Sequence, residues 1–266
     1  MPQLVFLGAG KMATAIAAGL IEQRIFAATE LLAADRIDTA RAAFTAATGV
    51  RCLADNADAV QGAEAVMLAI KPQDAPAALP PLAAPLAGKL LISIAAGLSL
   101  ARLSAWVRTD RIIRVMPNTP AMVRQGAAVY ACAPGATAAD RALAQRIFSA
   151  VGIACEMPEA QLDAVTGVSG SGPAYVFEFV QAMVDGAVKA GLPADAALAL
   201  VVQTVAGAAE MLRQQRGTPD ELRQAVTSKG GTTAAGLQVL TDAHFRDLIA
   251  NVIQRATERS RELGRG

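Results

Sequence analysis

The sequence has few of the side chains that most often carry chemistry. One histidine, His244, and three cysteines, Cys52, Cys132 and Cys155, occur in 266 residues. Three widely spaced thiols supply neither a disulfide framework nor the paired spacing of a zinc site, so they are expected as small buried residues and no metal site is expected. His244 lies in DAHFRDLIANVI, the expected start of an amphipathic helix, where a lone imidazole is more often structural than catalytic. Charge imbalance is missing too: a formal net charge of +1 gives no footprint for nucleic acid or an anionic membrane, and neither partner is expected. The uncharged runs are short or are broken by Pro and Gly, as in residues 75–88. None reaches the roughly 18 apolar residues of a spanning helix. No basic residue precedes Lys11, which argues against a signal peptide, and a cytoplasmic protein is expected.

Aromatic residues make up only 4% of the chain, yet hydrophobic residues reach 53% and charged ones only 18%. The core must therefore be aliphatic, with much alanine, which lets helices approach closely. This composition excludes a disordered chain, and the length suits two modest domains or one large one.

The first half alternates. Leu4–Leu7, Leu31–Ala34, residues 65–70 (AVMLAI), 90–95 (LLISIA) and Ile112–Met116 read as buried strands, with helices at 11–23, 37–47 and between the later strands. Residues 127–132 and 153–156 read as further strands flanking a helix at 138–150. Such alternation predicts an α/β fold, a Rossmann-type doubly wound parallel sheet with helices on both faces. After about residue 159 strand signals stop. Residues 173–189, 193–215, 219–226 and 245–263 read as helices, several opening near a proline, which suits a first turn. The division expected is 1–160 and 161–266, the second part all-α. Its apolar surfaces, such as Val176-Phe177, Phe179-Val180 and 198–202, are too much for about a hundred residues to bury alone, so an oligomer built through this half is expected.

Two loops suggest chemistry. FLGAGKMATAI places Gly8, Gly10 and Ala13 in G-x-G-x-x-A between a strand and a helix. That pattern gives a tight turn, room for a pyrophosphate and close helix–strand packing. At the end of the second strand, Asp35 suits ribose hydroxyls whereas Arg36 suits a 2′-phosphate, and an exposed surface pair fits the spacing as well. The second loop is VTSKGGTTAAGL, residues 226–237. Its glycines and hydroxyls can grip an anion on backbone N–H groups, or its Ser and Thr can simply cap the helix that follows.

Taken together, FLGAGKMA (6–13), LAIKPQ (68–73), SIAAGLS (93–99), RVMPNTPAMVRQGA (114–127), DAVTGVSGSGPAYVFEFVQAMVDGAVKAGLP (163–193) and VTSKGGTTAAGL (226–237) make the chain resemble the pyrroline-5-carboxylate reductase family along nearly its full length. The GSGPAY and GGTT stretches are the most specific. The resemblance implies reduction of the C=N bond of 1-pyrroline-5-carboxylate by NAD(P)H to give L-proline. It also implies a Rossmann-type domain, followed by a helical domain that dimerises by interleaving and can assemble further.

By the same resemblance Gly8, Ala9, Gly10, Lys11, Met12 and Ala13 would line the pyrophosphate, and Arg36, beside Asp35, would meet the 2′-phosphate. Asn56, Ala69, Ile70, Lys71, Pro72, Ala95, Ala96 and Asn118 would face the cofactor. Glu159 would stand at the substrate and product site, and Ser228, Gly230, Gly231, Thr232 and Thr233 would hold the substrate carboxylate. Thr233 would act as the catalytic hydrogen-bond donor to the ring nitrogen. Gly170 and Gly172 would serve close helix packing. NADPH is the expected cofactor, with NADH possible because Asp35 stands where many relatives have a small or neutral polar residue. Lys229 replaces a proline common in relatives, and Ala225 a polar residue. Two rivals remain on the same scaffold. One is a reductase like the beta-hydroxyacid dehydrogenases, for which Lys189 is the only candidate lysine within the long helices. The other is an NADP-binding regulator without catalysis.

Overall fold

The segment LVFL has no polar side chain because both of its faces are covered. In the computed structural model, which describes residues 3–265, this strand, β1 (Leu4–Leu7), is fully buried. Leu4 and Phe6 face one apolar layer with Ile16, Leu20, Phe44, Met67 and Phe148. Val5 and Leu7 face the other, with Val66, Leu68, Leu79 and Leu103. A period of two on a strand buried on both sides leaves no alternation to read, only a continuous hydrophobic run.

Around it the chain winds β1, α1 (Lys11–Glu22), β2 (Leu31–Ala34), α2 (Asp38–Thr48), β3 (Cys52–Leu53), α3 (Asn56–Val60), β4 (Ala65–Leu68), α4 (Ala75–Ala78), β5 (Leu90–Ser93), α5 (Leu100–Trp106) and β6 (Ile112–Met116). Then come β7 (Gly126–Cys132), α6 (Ala138–Ser149), β8 (Gly152–Glu156) and α7 (Leu162–Val165). The eight strands form one sheet in the order β3-β2-β1-β4-β5-β6-β7-β8. The chain therefore runs outward from β1 to one side and resumes on the other with β4, and the reversal falls between β1 and β4.

Two details depart from the sequence expectation. β3 is a two-residue strand beside β2, too short to show a pattern. β7 runs antiparallel to β6, because residues 117–125 connect them through one 3₁₀ turn, Thr119–Val123, whereas a parallel crossover takes a dozen residues or more.

One buried charge pair fixes the far edge. Asp140 opens α6 as the third residue after Thr137. It accepts from Thr137 N, and its own N–H donates to Thr137 Oγ1, a reciprocal cap. Arg111 grips the same carboxylate through Nε at 3.0 Å and Nη2 at 2.6 Å. These bonds, Arg111 first, hold the Asp140 carboxyl down at about 2. The three cysteines are free and half-buried, and burial pushes the Cys52 thiol up to about 11.

The chain separates into two compact units, residues 1–171 with 255–266, and residues 172–254. The second unit holds α8 (Gly172–Lys189), α9 (Ala194–Arg213), α10 (Pro219–Ala225), α11 (Thr232–Asp242) and the start of α12 (Phe245–Arg265). α8 packs on α9. Within this unit only Ala197 and Val201 are buried apolar residues, while Phe177 is 67% and Leu200 58% exposed. α9 also corrects one expectation: it is long and apolar enough to cross a membrane by length and composition. Its charges, Asp195, Glu210 and Arg213, sit near its ends and leave an uncharged interior that a search for unbroken apolar runs overlooks. His244 heads no reactive cluster. It lies between α11 and α12 with φ +50°, exposed, 3.8 Å from Asp247.

Candidate active site

The carboxyl ends of β1, β2, β4 and β5 bring most of the predicted cofactor residues to one edge of the sheet. Gly8 and Gly10 follow β1, Asp35 and Arg36 follow β2, Ala69 to Pro72 follow β4, and Ala95 and Ala96 follow β5. This edge, at the point where the strand order reverses, is where open α/β sheets bind nucleotides.

The two glycines do different work. Gly8 has φ +100°, and a Cβ there would stand 2.6 Å from Ala69 O and 2.8 Å from Ala69 C. Its N–H donates to Ala34 O at 2.7 Å, so three chain segments meet at an atom-wide gap. A Cβ on Gly10 would meet nothing within 4 Å. Gly10 caps α1 with extended backbone, and no side chain bonds to the first-turn N–H groups. An open cradle over uncapped N–H groups fits a diphosphate. Ala13 is buried against the sheet, Met12 is half-buried and Lys11 exposed.

Asp35 is spent on the backbone. Its Oδ2 accepts from Ala9 N and its Oδ1 from Ile37 N, both at 2.9 Å, so one carboxylate ties the glycine turn to the start of α2. Arg36 is 80% exposed at its side chain and reaches Asp74 Oδ1 at 3.3 Å. Lys71 is exposed at the head of the Pro72–Asp74 turn, Ile70 is half-buried, and Ala95 is buried while Ala96 is exposed. Asn56 opens α3, half-buried, after the capping Asp55. A cavity of about 610 Å³, large enough for a cofactor fragment or small substrate, opens beside Pro72, Ala96 and Gly97 and is bounded by Ser171, Arg259 and Ser260.

Two residues assigned to ligands by resemblance have partners inside the first unit. Asn118 is buried, its Oδ1 accepting from Ala127 N at 2.8 Å and its Nδ2 donating to Ser169 O at 3.0 Å. Glu159 Oε1 accepts from Leu100 N at 2.8 Å and from Arg114 Nη1 at 3.0 Å. This carboxylate starts α5 and neutralises a buried arginine of β6. Arg114 itself was missed, although an arginine inside the apolar strand IIRVM signals a buried partner. A Cβ on Gly170 would stand 2.3 Å from Met116 Cε, the end of a flexible side chain that can move aside, and Gly172 lies open.

In the helical unit the GGTT loop forms a tight turn. Gly231 N donates to Ser228 O at 3.1 Å, and Gly230 takes φ +70°. A Cβ on Gly231 would stand 2.3 Å from Ser228 Oγ. Gly231 is the N-cap of α11, and no side chain caps that helix. Thr227 instead bonds back to Arg223 O at 2.6 Å. The capping alternative for this loop therefore loses its main support: the backbone N–H groups at the start of α11 carry no side-chain cap. Thr233 is half-buried and Ser228 exposed. Lys189, the lysine that a hydroxyacid dehydrogenase mechanism would need, is the exposed last residue of α8.

Comparison with known proteins gives two family matches. Residues 159–263 match the model described as pyrroline-5-carboxylate reductase dimerisation, and residues 3–97 match one described as NADP oxidoreductase, coenzyme F420-dependent. A pyrroline-5-carboxylate reductase from Glycine max is 42% identical over 98% of this chain and 95% of its own. Among solved structures, a pyrroline-5-carboxylate reductase from Coxiella burnetii superposes with a TM-score of 0.93 at 33% identity, covering 98% of both chains. The Plasmodium falciparum pyrroline carboxylate reductase with NADP bound superposes with a TM-score of 0.88 at 31% identity, covering 99% of this chain and 98% of its own.

Proposed function

The chain belongs to the pyrroline-5-carboxylate reductase family, and from that premise we propose that it reduces the C=N bond of 1-pyrroline-5-carboxylate with a nicotinamide cofactor, giving L-proline as the last step of proline biosynthesis. The observation that carries this reading inside the molecule is the presence of two uncapped helix N-termini behind glycine turns, one at Gly10 and one at Gly231. The first suits a diphosphate and the second a small carboxylate.

When bound, the nicotinamide would supply the hydride for the imine carbon, which becomes the δ-carbon of proline, and the ring nitrogen would take its proton from water. The residues of the chain bind and orient. The N–H groups of Thr232 and Thr233 would take the substrate carboxylate, with Ser228, Gly230 and Gly231 shaping the turn around it. The Thr233 hydroxyl would donate to the ring nitrogen and fix the ring's rotation. A threonine is too weak an acid to protonate an imine unaided, so its contribution is alignment, which can supply much of the barrier reduction. Asn118 and Glu159 would hold β6, β7 and the start of α5 in place through the bonds they already make.

The division of labour follows: residues 1–160 bind the cofactor, and residues 161–266 dimerise and bind substrate. The family match over 159–263 supports that boundary. Arg36 favours NADPH through the 2′-phosphate, and NADH is usable as well. The assembly is a homo-oligomer with the dimer as its unit, working on small molecules in the cytoplasm. Oxidation of NADPH and NADH by purified protein with 1-pyrroline-5-carboxylate tests the proposal. Turnover is expected with both, faster with NADPH. Folded protein that binds cofactor but turns over only a hydroxyacid or keto acid, or nothing, would overturn it.

A further inference from the structure

The end of β2 carries more charge than cofactor recognition requires. Asp35, Arg36, Asp38 and Arg41 stand within seven residues, and Asp74 joins them from the turn after β4. Arg41 is engaged through both Nη atoms, with Nη1 on Asp35 O at 2.9 Å and Nη2 on Asp38 Oδ1 at 2.6 Å. Asp35 is committed to Ala9 N and Ile37 N. That leaves Arg36, whose one hydrogen bond is made by Nη2 to Asp74 Oδ1 at 3.3 Å. Asp74 does not float: its N–H donates to Lys71 O at 3.0 Å, which fixes the turn and holds the carboxylate beside Arg36, whose other donors face solvent.

We propose that Asp74 sets the coenzyme discrimination of this protein, because its carboxylate competes with a 2′-phosphate for Arg36. The inference rests on the reading that the end of β2 receives the adenosine ribose. A guanidinium attracts a dianionic phosphate, but a carboxylate on the same guanidinium both occupies a donor and repels the phosphate. Three acids, Asp35, Asp38 and Asp74, balance Arg36, Arg41 and the exposed Lys71 of the same turn, so no excess positive charge draws a phosphate in before Arg36 is released. A nucleotide without the 2′-phosphate needs nothing from Arg36 and is indifferent to Asp74. Asp74 therefore lowers affinity for the phosphorylated cofactor selectively and narrows the gap between NADPH and NADH. Removing its charge while keeping its shape should widen that gap.

The test uses fragments of the cofactor on the whole protein, so that binding is read without turnover. Calorimetric titration with 2′,5′-ADP and with 5′-AMP is compared for wild type, Asp74→Asn and Arg36→Ala. Asp74→Asn is expected to tighten 2′,5′-ADP about fivefold, the scale of one like-charge contact in a solvent-exposed setting. It should leave 5′-AMP within about twofold, and the gain should shrink at about 1 M salt, where charges are screened beyond a few ångströms. Arg36→Ala should weaken 2′,5′-ADP alone. Unchanged or weaker 2′,5′-ADP binding in Asp74→Asn, or equal tightening of both fragments, would overturn the role of Asp74 while leaving the adenosine site in place. If Arg36→Ala also binds 2′,5′-ADP as wild type does, the reading of this strand end falls, and the role of Asp74 with it.

Discussion

Substituting each glycine of the first turn by alanine should separate fold from cofactor. At Gly8, alanine must take φ +100°, a left-handed conformation that costs an L-residue about 1–2 kcal/mol. Its Cβ must also displace Ala69 O, which stands 2.6 Å away. That atom belongs to backbone and cannot swing aside, and overpacking of this kind costs about 1–3 kcal/mol. The sum, about 3 kcal/mol, should appear as a lower urea midpoint read at Trp106, the only tryptophan, which lies in the first unit. At Gly10, alanine meets nothing within 4 Å and the backbone is extended, with φ −78° and ψ 178°. Lost freedom in the unfolded chain stabilises by about 0.4–1 kcal/mol and the poorer cap offsets a few tenths, so stability should stay within about 1 kcal/mol of wild type. The methyl group would stand in the open cradle where a diphosphate approaches, and NADPH affinity should fall by about 10- to 100-fold, or about 1.4–2.8 kcal/mol. Urea titration and calorimetric NADPH binding on both variants decide the matter. A Gly10→Ala protein that binds NADPH like wild type, or a Gly8→Ala protein with unchanged stability, would refute the assignment.

Other consequences can be measured in the same way. Asp140→Asn leaves Arg111 without its carboxylate and should cost about 2 kcal/mol at neutral pH. Because the Asp140 carboxyl sits at about 2 in the folded chain, below the unfolded value of about 4, its contribution is whole above pH ~4 and is lost as pH falls toward 2. The stability gap between variant and wild type should therefore close over that window in acid titrations. Thr233→Val should lower kcat/KM by roughly 10- to 1,000-fold if the hydroxyl aligns the ring nitrogen in the transition state, and wild-type kinetics would remove it from the mechanism. Leu200→Arg places a charge on the exposed apolar side of α9 and should shift sedimentation toward monomer while NADPH binding survives. An unchanged oligomer would place the interface elsewhere.

The buried strands were legible because a strand covered on both faces is a short apolar run bounded by turn residues, and LVFL, AVML, LLIS and IIRVM are all of that kind. β3 was not, since two residues have no period. The direction of β7 was hidden because orientation depends on the length and content of its connection rather than on the strand itself. In the site, glycine positions were legible, as backbone geometry leaves few alternatives to glycine. The tasks of Asp35, Asn118 and Glu159 were not. Their partners are mostly main-chain groups of Ala9, Ile37, Ala127, Ser169 and Leu100, and a main-chain donor or acceptor leaves no mark in sequence. Asp74 was hidden as well: its partner is a side chain, but one 38 residues away in the chain.

The last helix crosses from one unit to the other: α12 begins among the helices of residues 172–254 and ends in the first unit from Arg255 onward. Ser260 Oγ donates to Asp163 Oδ1 at 2.7 Å, and the Leu263 backbone lies close to Gly97. During synthesis a ribosome would finish the eight-stranded sheet long before it releases these residues. The nucleotide-binding unit must then wait, with its final turn missing, while four helices that bury little of their own apolar surface emerge. Completion of this unit therefore comes late, and the interval before it is when the nascent chain is most open to aggregation or to chaperones.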